Sequence, residues 1–556
     1  MSITLRGADI LTRALVRAGT RNIFSLSGNQ IMPVYDAAID AKLEIIHVRH
    51  EGAAVHMADA WGRLSGDPGI ALVTGGPGHA NAIGALYTAL AADSPLVLLS
   101  GHAPLAQIGI DAFQEMRQAE LAEPVVKASW TAQNAHGLGA DIARAIRIAR
   151  SGRPGPVHLS LPFDVLEARI PEQEAAIPES AHFRSPETQL SSVAAHGILA
   201  QIAQAQRPLI VVGPCLAGER GHAARTALAH ASGSPVLCME SPRGVNDPAL
   251  GAVAEVFSEA DLVVLIGKKL DFTMRFGRAP AFATACRFIQ IDPDPLTLEH
   301  TARACGNPDR IILSAIADSF AAVAQLTSCA TSTPARDAGW SAEVEAAIRY
   351  RPPVWDAPNN SAGRLKPTEV GRAVQRKIDS AVEGMLVVDG GEFGQWSQAC
   401  VSAACRLING PAGSIGSAVP FALAAKLARP NATVIAMLGD GTFGFHMAEF
   451  DTAVRHGLPI VAVVGNDACW NAEHQIQINS YGHARAVGCE LLPTRYDQAV
   501  AGLGGHGEFV THSAELVPAL ERALTAQKPA CVNVLVERVA APNISRKSGS
   551  DASSTH

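Results

Sequence analysis

Short apolar runs of strand length recur along this chain with helical patterns between them, and that alternation restricts the fold more than any other feature. In residues 1–171 the runs NIFSL, EIIHV, IALVT, PLVLLS and VHLSLP alternate with segments such as EGAAVHMADAWGRL. Strands this uniformly apolar have no polar face to offer water, so they belong in parallel sheets covered by helices on both sides. The same pattern returns in residues 193–327, with PLIVVG, DLVVLIG and RFIQIDPDP, and again in residues 366–540, with MLVVDGG, TVIAMLGD, IVAVVGND and CVNVLV. A chain of 556 residues is too long for one core. The predicted fold class is therefore α/β, with three doubly wound parallel-sheet domains. Residues 172–192 and 328–365 read as irregular connections, and the polar segment 541–556 as a disordered tail.

Charge and composition narrow the partners. A net charge of −7, with acids and bases mixed throughout, provides no basic stripe for nucleic acid. The N-terminal MSITLRGADILTRALVRAG reads as an amphipathic helix and not as a signal peptide, and no apolar run is long enough to span a bilayer, which predicts a cytoplasmic protein. Ten cysteines without a CxxC pair or metal-ligand spacing suggest buried thiols.

Chemistry concentrates in residues 439–471, GDGTFGFHMAEFDTAVRHGLPIVAVVGNDACWN. One strand ends at Gly439-Asp440-Gly441 and the next at Gly465-Asn466-Asp467, so Asp440 and Asp467 fall at neighbouring strand ends, where open α/β sheets bind ligands. Two carboxylates there present the hard oxygens that magnesium prefers. The exposed amides of Gly441 and Thr442 at the following helix start favour an anion.

This segment resembles the thiamine diphosphate motif of the acetolactate synthase, pyruvate oxidase and 2-hydroxyacyl-CoA lyase superfamily, with matching GDG, Glu449, Thr452, Ala453 and Leu458-Pro459, and a second ligand 27 residues after Asp440. Asp467 replaces the family's Asn, which adds negative charge. The resemblance implies thiamine diphosphate and Mg2+, with Asp440, Asp467 and the backbone carbonyl of Cys469 as metal ligands. It extends to RHEGAAVHMADAWGRL, where Glu51 matches the family's indispensable acid, which hydrogen-bonds the aminopyrimidine; without the motif a helix-start glutamate would be read as dipole complementation. TGGPGHANAIGAL resembles the loop over the aminopyrimidine, placing Pro77 and Asn81 at contact positions. His79 stands where synthases carry Ala, and is read as a proton relay or hydrogen-bond donor toward the reacting carbon, against the alternative of a helix-cap histidine.

The segment from Gly101 resembles the acetolactate synthase loop and implies Phe113 and Gln114 beside the reacting carbon and Lys127 along the access channel, where the bland alternative is a surface loop. GPAGSIGSAVPFALAAKLARP implies a glycine-rich turn at Gly413 with Ile415 wedged under the cofactor, and DGGEFGQW puts Phe393, Gly394 and Gln395 nearest the phosphates. In the middle domain, GKKLDFTMRFG and IQIDPDP resemble the family's nucleotide-binding region, which implies FAD, with Arg153 as a contact, or a coenzyme A or adenosine nucleotide met by Lys268, Lys269 and Arg275, or no nucleotide at all.

The resemblance implies an acetolactate synthase-like carboligase that decarboxylates a 2-oxo acid such as pyruvate and adds the remaining unit to a second carbonyl compound. Asn471-Ala472 and Gln475-Ile476-Gln477 depart from the synthases' Gly-Met and Gln-Trp-Gln, which keeps open a 2-hydroxyacyl-CoA lyase releasing formyl-CoA and an aldehyde or ketone. A catalytically silent regulatory homologue is the reading from another class. The family further implies a homodimer or homotetramer with active sites at the subunit interface.

Overall fold

The computed structural model describes residues 4–330, 338–356 and 363–547. Its contacts group into two compact units. The first holds residues 1–186 with 419–430 and 446–458, and the second holds 187–418, 431–445 and 459–556.

The first unit is built on a six-stranded parallel sheet in the order Glu44–His47, Asn22–Ser25, Gly69–Val73, Leu96–His102, Pro156–Pro162, Ser129–Thr131. Every residue of Leu96–His102 and Pro156–Pro162 is buried, as expected for central strands covered on both faces. A two-stranded antiparallel ribbon, Thr4–Arg6 with Arg169–Pro171, ties the chain start to the domain's end.

The second unit carries two parallel sheets. The central one has five strands, ordered Val236–Cys238, Pro208–Val212, Leu262–Ile266, Arg287–Ile291, Ile311–Ala315. The third has six, ordered Cys405–Ile408, Gly384–Val388, Thr433–Gly439, Val461–Asn466, Ala530–Leu535, His506–Val510. The α/β class with three doubly wound parallel sheets is therefore observed. The sheet strands that the apolar pattern does not announce are edge strands: Ser129–Thr131, Val236–Cys238, Ile311–Ala315, Cys405–Ile408 and His506–Val510 are short and only partly buried, because an edge packs on fewer neighbours.

Two connections differ from the sequence reading. Residues 172–192 form no regular strand or long helix, yet Phe183 is buried in the first core and Leu190 in the central one. Within 328–365, expected to be irregular, Ala338–Arg349 is a helix. Its Trp340, Val344, Ala347 and Ile348 share one face and pack on the central core, and the Trp340 indole donates to the Pro208 carbonyl at 2.9 Å.

The tail reading also needs correction. Residues 541–547 are held down: Ile544 is buried, and Arg546 pairs with Glu255 at 2.9 Å and Glu343 at 2.6 Å. These acids lie some two to three hundred residues earlier, so local composition could not reveal them. The rest of that call, residues 548–556, lies outside the described residues. All ten cysteines are free thiols. Among the described residues no helix is long and apolar enough to cross a membrane.

Candidate active site

In the first unit Glu51 opens the helix Glu51–Ser65, directly after His50, whose Nδ1 accepts from the Gly52 amide at 3.0 Å. The Glu51 side chain is nearly buried, 8% exposed, and its Oε2 accepts from Asn81 Nδ2 at 3.0 Å. Asn81 lies on the helix Pro77–Ala91, started by Pro77, whose fixed φ suits a first helical position. Two glycines before and within that start have spatial reasons. Gly76 has φ +55° and a Cβ there would strike the Gln114 carbonyl; a Cβ on Gly78 would lie 2.7 Å from Thr74 and 3.2 Å from Glu51 Oε1. The bare backbone at Gly78 is what leaves room for the Glu51 carboxylate over the helix start.

Glu449 has a positioning role in the first unit that its motif match did not disclose. Buried and carrying a carboxyl raised by that burial, it accepts the Arg49 amide at 3.0 and 3.1 Å and the Thr452 hydroxyl at 2.6 Å. It thereby clamps the turn that delivers Glu51. Gln30, another residue with no local signal, accepts from Thr74 and donates to Gln114 Oε1 at 3.0 Å. Gln114 itself has a left-handed backbone conformation, φ +58°. Phe113 beside it is 71% exposed.

Three predicted residues sit elsewhere than expected. His79 does not project from its loop. It belongs to the inward stripe His79, Ala82, Leu86, Ala89, opposite in facing to Asn81, and is fully buried with Nδ1 2.9 Å from Ser100 Oγ and its ring 4.5 Å from that of His158. Lys127 Nζ donates to the carbonyls of Ile148 and Ser151, both at 2.5 Å, closing the end of the helix Leu138–Arg150. Arg153 is paired with the buried Asp93 at 2.5 Å.

The His79 placement carries a stability prediction. Burial holds the His79 imidazole down to about 4 and pushes His158 well below its ordinary value. A depressed histidine favours the neutral form in the folded state, so its contribution is complete above pH 6.5 and is lost as pH falls toward 4. His79→Ala is expected to lower the melting temperature at pH 7.5, by the roughly 1–3 kcal/mol of a lost buried hydrogen-bonded group, and to flatten the acid slope between pH 6.5 and 4. Turnover should stay within a few-fold of wild type, and a hundredfold loss would reinstate a catalytic histidine.

In the second unit, strands Thr433–Gly439 and Val461–Asn466 pair in parallel with Gly439 opposite Gly465, so Asp440 and Asp467 leave the sheet side by side. Both are buried. Burial raises Asp440 to about 6, and burial together with the Asp440 charge raises Asp467 to about 7. Arg364 and Arg538 each donate to the Asp467 carbonyl at 3.2 Å, fixing the turn through Ala468, φ +56°, to the buried Cys469.

These strand ends face a cavity of about 340 Å³ lined by Gly391, Gln395, Ile415, Asp440, Thr442 and Asp467, among others. Phe393, Gly413, Gly439, Gly441 and Cys469 also border it. Close packing shapes the floor: a Cβ on Gly465 would enter the Phe393 ring, and one on Gly441 would meet Trp470 at 2.7 Å. Gly394 is outside the lining, its Cα against the Asp389 carbonyl. Asp389 went unassigned in the sequence, although it precedes the Gly-Gly pair. It is fully buried, accepts the amides of Gly390, Gly416 and Ala418 at 2.8–3.1 Å, and so ties the Gly391 helix start to the turn carrying Ile415.

The residues fit a divalent cation and a diphosphate. Asp440 Oδ2 is buried with no hydrogen-bond partner among the described residues, and a like-charged carboxylate stands next to it. Such a pair is costly alone and is relieved by a cation, with backbone and phosphate oxygens completing its shell.

Three family models match in order: the thiamine pyrophosphate enzyme N-terminal TPP binding domain over residues 5–121, the central domain over 196–316, and the C-terminal TPP binding domain over 389–534. The acetolactate synthase large subunit of Mycobacterium tuberculosis is 32% identical, covering 96% of each chain. That of Parasynechococcus marenigrum is 31% identical, over 96% of this chain and 88% of the relative. Human 2-hydroxyacyl-CoA lyase 2 is 29% identical, over 96% and 90%. The chain belongs to the thiamine pyrophosphate enzymes, as a thiamine diphosphate-dependent member of the acetolactate synthase and 2-hydroxyacyl-CoA lyase superfamily.

Proposed function

We propose that this enzyme is an acetolactate synthase-like carboligase, which decarboxylates a 2-oxo acid such as pyruvate and joins the remaining unit to a second carbonyl compound. The observation that carries this reading is the nearly buried Glu51 carboxylate, set on a helix start with one oxygen engaged by Asn81. Relatives named acetolactate synthase support it over most of the chain.

Thiamine diphosphate, when bound, supplies the electron sink that lets a carbon–carbon bond beside a carbonyl break and form. The chain's own residues do the rest. Glu51 Oε2 is occupied by Asn81, so Oε1, over Gly78, is the atom that holds or gives up the proton. Asp440 and Asp467, with the Cys469 carbonyl, would hold Mg2+, and the amides of Gly441 and Thr442 would meet diphosphate oxygens. Ile415, resting on Gly390 at the cavity wall, supplies an apolar shelf that orients the cofactor. Ile415→Ala should therefore cut kcat by roughly 10- to 100-fold while thiamine diphosphate affinity, read by fluorescence quenching, changes little; equal losses in both would make Ile415 a simple packing residue.

The central-domain cations divide, with Arg275 lining a cavity of about 420 Å³ and Lys268 turned inward. Lys268 is folded inward on Thr273 at 2.5 Å and Asp271 at 3.5 Å, and Arg153 is committed to Asp93. We further propose a homo-oligomer, for which light scattering of the active species at monomer mass would be the contrary result.

The deciding assay is acetolactate formation from pyruvate by purified protein supplied with thiamine diphosphate and Mg2+. Product that disappears with Glu51→Gln supports the synthase. The second reading, a 2-hydroxyacyl-CoA lyase, is favoured by Asn471, which replaces the synthase glycine and fastens the following helix to the C-terminal segment through the Val539 carbonyl at 2.8 Å. Formyl-CoA release without acetolactate would select it.

A further inference from the structure

Both contacts of the Glu51 carboxyl hang from one turn of the first unit. Strand Gly69–Val73 runs into Thr74, Gly75 and Gly76, and the helix Pro77–Ala91 starts from that turn, with the Gly76 carbonyl accepting the Ala80 amide at 2.9 Å. Glu51 Oε1 lies over Gly78 in the first turn of the helix, and Asn81, three residues on, holds Oε2. A displaced Gly76 peptide would therefore move both groups that touch the carboxyl.

One side chain fixes that peptide. Gln118 Oε1 accepts the Gly76 amide at 2.8 Å, and Gln118 Nε2 donates to the Gly101 carbonyl at 3.1 Å and to the Ser160 hydroxyl at 3.0 Å. Gly101 and Ser160 stand on the paired strands Leu96–His102 and Pro156–Pro162, the first of which also pairs with Gly69–Val73. Gln118 thus ties the turn to two central strands at their carboxyl ends, the edge where open α/β sheets place their sites. The task needs an acceptor and a donor on one planar group, which a primary amide supplies. Gln118 is 1% exposed, and Gly76, Gly101 and Ser160 are buried, so a bond lost here is not replaced from bulk solvent. The turn is also tightly seated: a Cβ on Gly75 would fall 2.7 Å from the Gly101 carbonyl, and one on Gly76, with φ +55°, 2.7 Å from the Gln114 carbonyl.

We propose that Gln118 is a positioning residue for proton transfer at Glu51: its amide locks the turn at Gly76, and through it the Gly78 and Asn81 contacts of the Glu51 carboxyl, in the geometry in which that acid works. This rests on reading Glu51 as the acid that serves the cofactor, and it holds for carboligase and lyase alike. Because Gln118 acts on the turn and the strand ends, its loss misplaces the acid without removing a binding contact.

The test uses the full-length enzyme loaded with thiamine diphosphate and Mg2+ and follows exchange of the carbon-bound thiazolium proton with deuterium oxide, which needs no substrate. Gln118→Ala should slow exchange roughly 10- to 100-fold, with cofactor affinity kept within about threefold. In a Glu51→Gln background the same change should add less than about threefold, because both residues act on one step. Gln118→Glu keeps the side chain's size and so separates positioning from packing. Charged, it accepts from Gly76 but sets a second acceptor against the Gly101 carbonyl; protonated, it regains the donor, and burial favours that form. Its exchange rate relative to wild type should therefore rise about tenfold or more from about pH 8.5 to about pH 6. The buried histidines around these groups, His79, His102 and His158, are present in both proteins and cancel in the ratio. Unaltered exchange in Gln118→Ala, a ratio flat with pH for Gln118→Glu, or a full further loss on top of Glu51→Gln overturns the proposal. Normal exchange in Glu51→Gln alone would sink the reading of Glu51 as the acid, whereas slow exchange there with normal exchange in Gln118→Ala would sink only the positioning role.

Discussion

Glu51→Gln is expected to lower turnover by roughly 10²- to 10⁴-fold, the span that general acid–base catalysis contributes, with almost no change in fold. Glutamine has the same shape, and its carbonyl oxygen can still accept from Asn81, so the helix start and the Gly78 contact survive. What it lacks is a proton that can leave and return. Thiamine diphosphate and Mg2+ affinities should stay within a few-fold of wild type, and the melting temperature should hold. Single-turnover measurement on the loaded variant is the check. Near-normal turnover would remove Glu51 from the chemistry, and failure to bind cofactor would recast it as a binding residue.

The second large effect concerns the carboxylate pair. Asp440→Asn should weaken Mg2+-dependent cofactor binding by roughly 10²- to 10³-fold, the scale of removing one partner from a buried charge cluster. Asp467→Asn should be far milder, since it restores the Asn that the family motif carries at that position. The pH dependence follows from the raised values near 6 and 7. A carboxyl raised in the folded state contributes stability that is complete below its unfolded value of 3.8 and is lost as pH rises through about 7. The pair's own contribution to the stability of the unliganded protein should therefore fall from pH 4 to 7, read as the difference in melting temperature between wild type and Asp467→Asn. Mg2+ and cofactor affinity should climb over the upper part of that range, as the protons leave, and level off above pH 7. Asp467→Asn removes the like charge, so the unliganded variant should melt roughly 2–4 °C higher than wild type at pH 8 and bind Mg2+ with a flatter pH profile. Scanning calorimetry with and without Mg2+ reads both. A difference in melting temperature between wild type and Asp467→Asn that stays constant from pH 4 to 8 without ligand would contradict the pairing.

The features legible in the sequence share a physical character. Buried parallel strands must be apolar along their whole length, so Leu96–His102, Leu262–Ile266 and Val461–Asn466 announce themselves. A strand end followed at once by a helix must put its next residue in the crevice, so Asp440 and Asp467 could be placed before any coordinates. Spacing was enough, because in both cases the chain's local geometry does the positioning.

What only the tertiary structure decided are the matters settled by residues far apart in sequence. His79 and Asn81 stand two apart on one helix, and which faces the core depends on the sheet beneath, where Ser100 and His158 receive the histidine. Lys127 and Arg153 are drawn off by carbonyls and by Asp93. Asp389, Gln30 and Glu449 act by holding turns, and Arg243 meets the cofactor cavity from another domain's loop. Hydrophobic periodicity and turn chemistry are written in neighbouring residues, and so the sequence by itself determined the class of fold and the strand ends that face the crevice, while the cofactor followed from the motif's resemblance to a known family. Long-range hydrogen bonds, ion pairs and the shape of a cavity arise only when distant segments meet, and so the tertiary structure alone decided which polar side chains are free to meet a substrate.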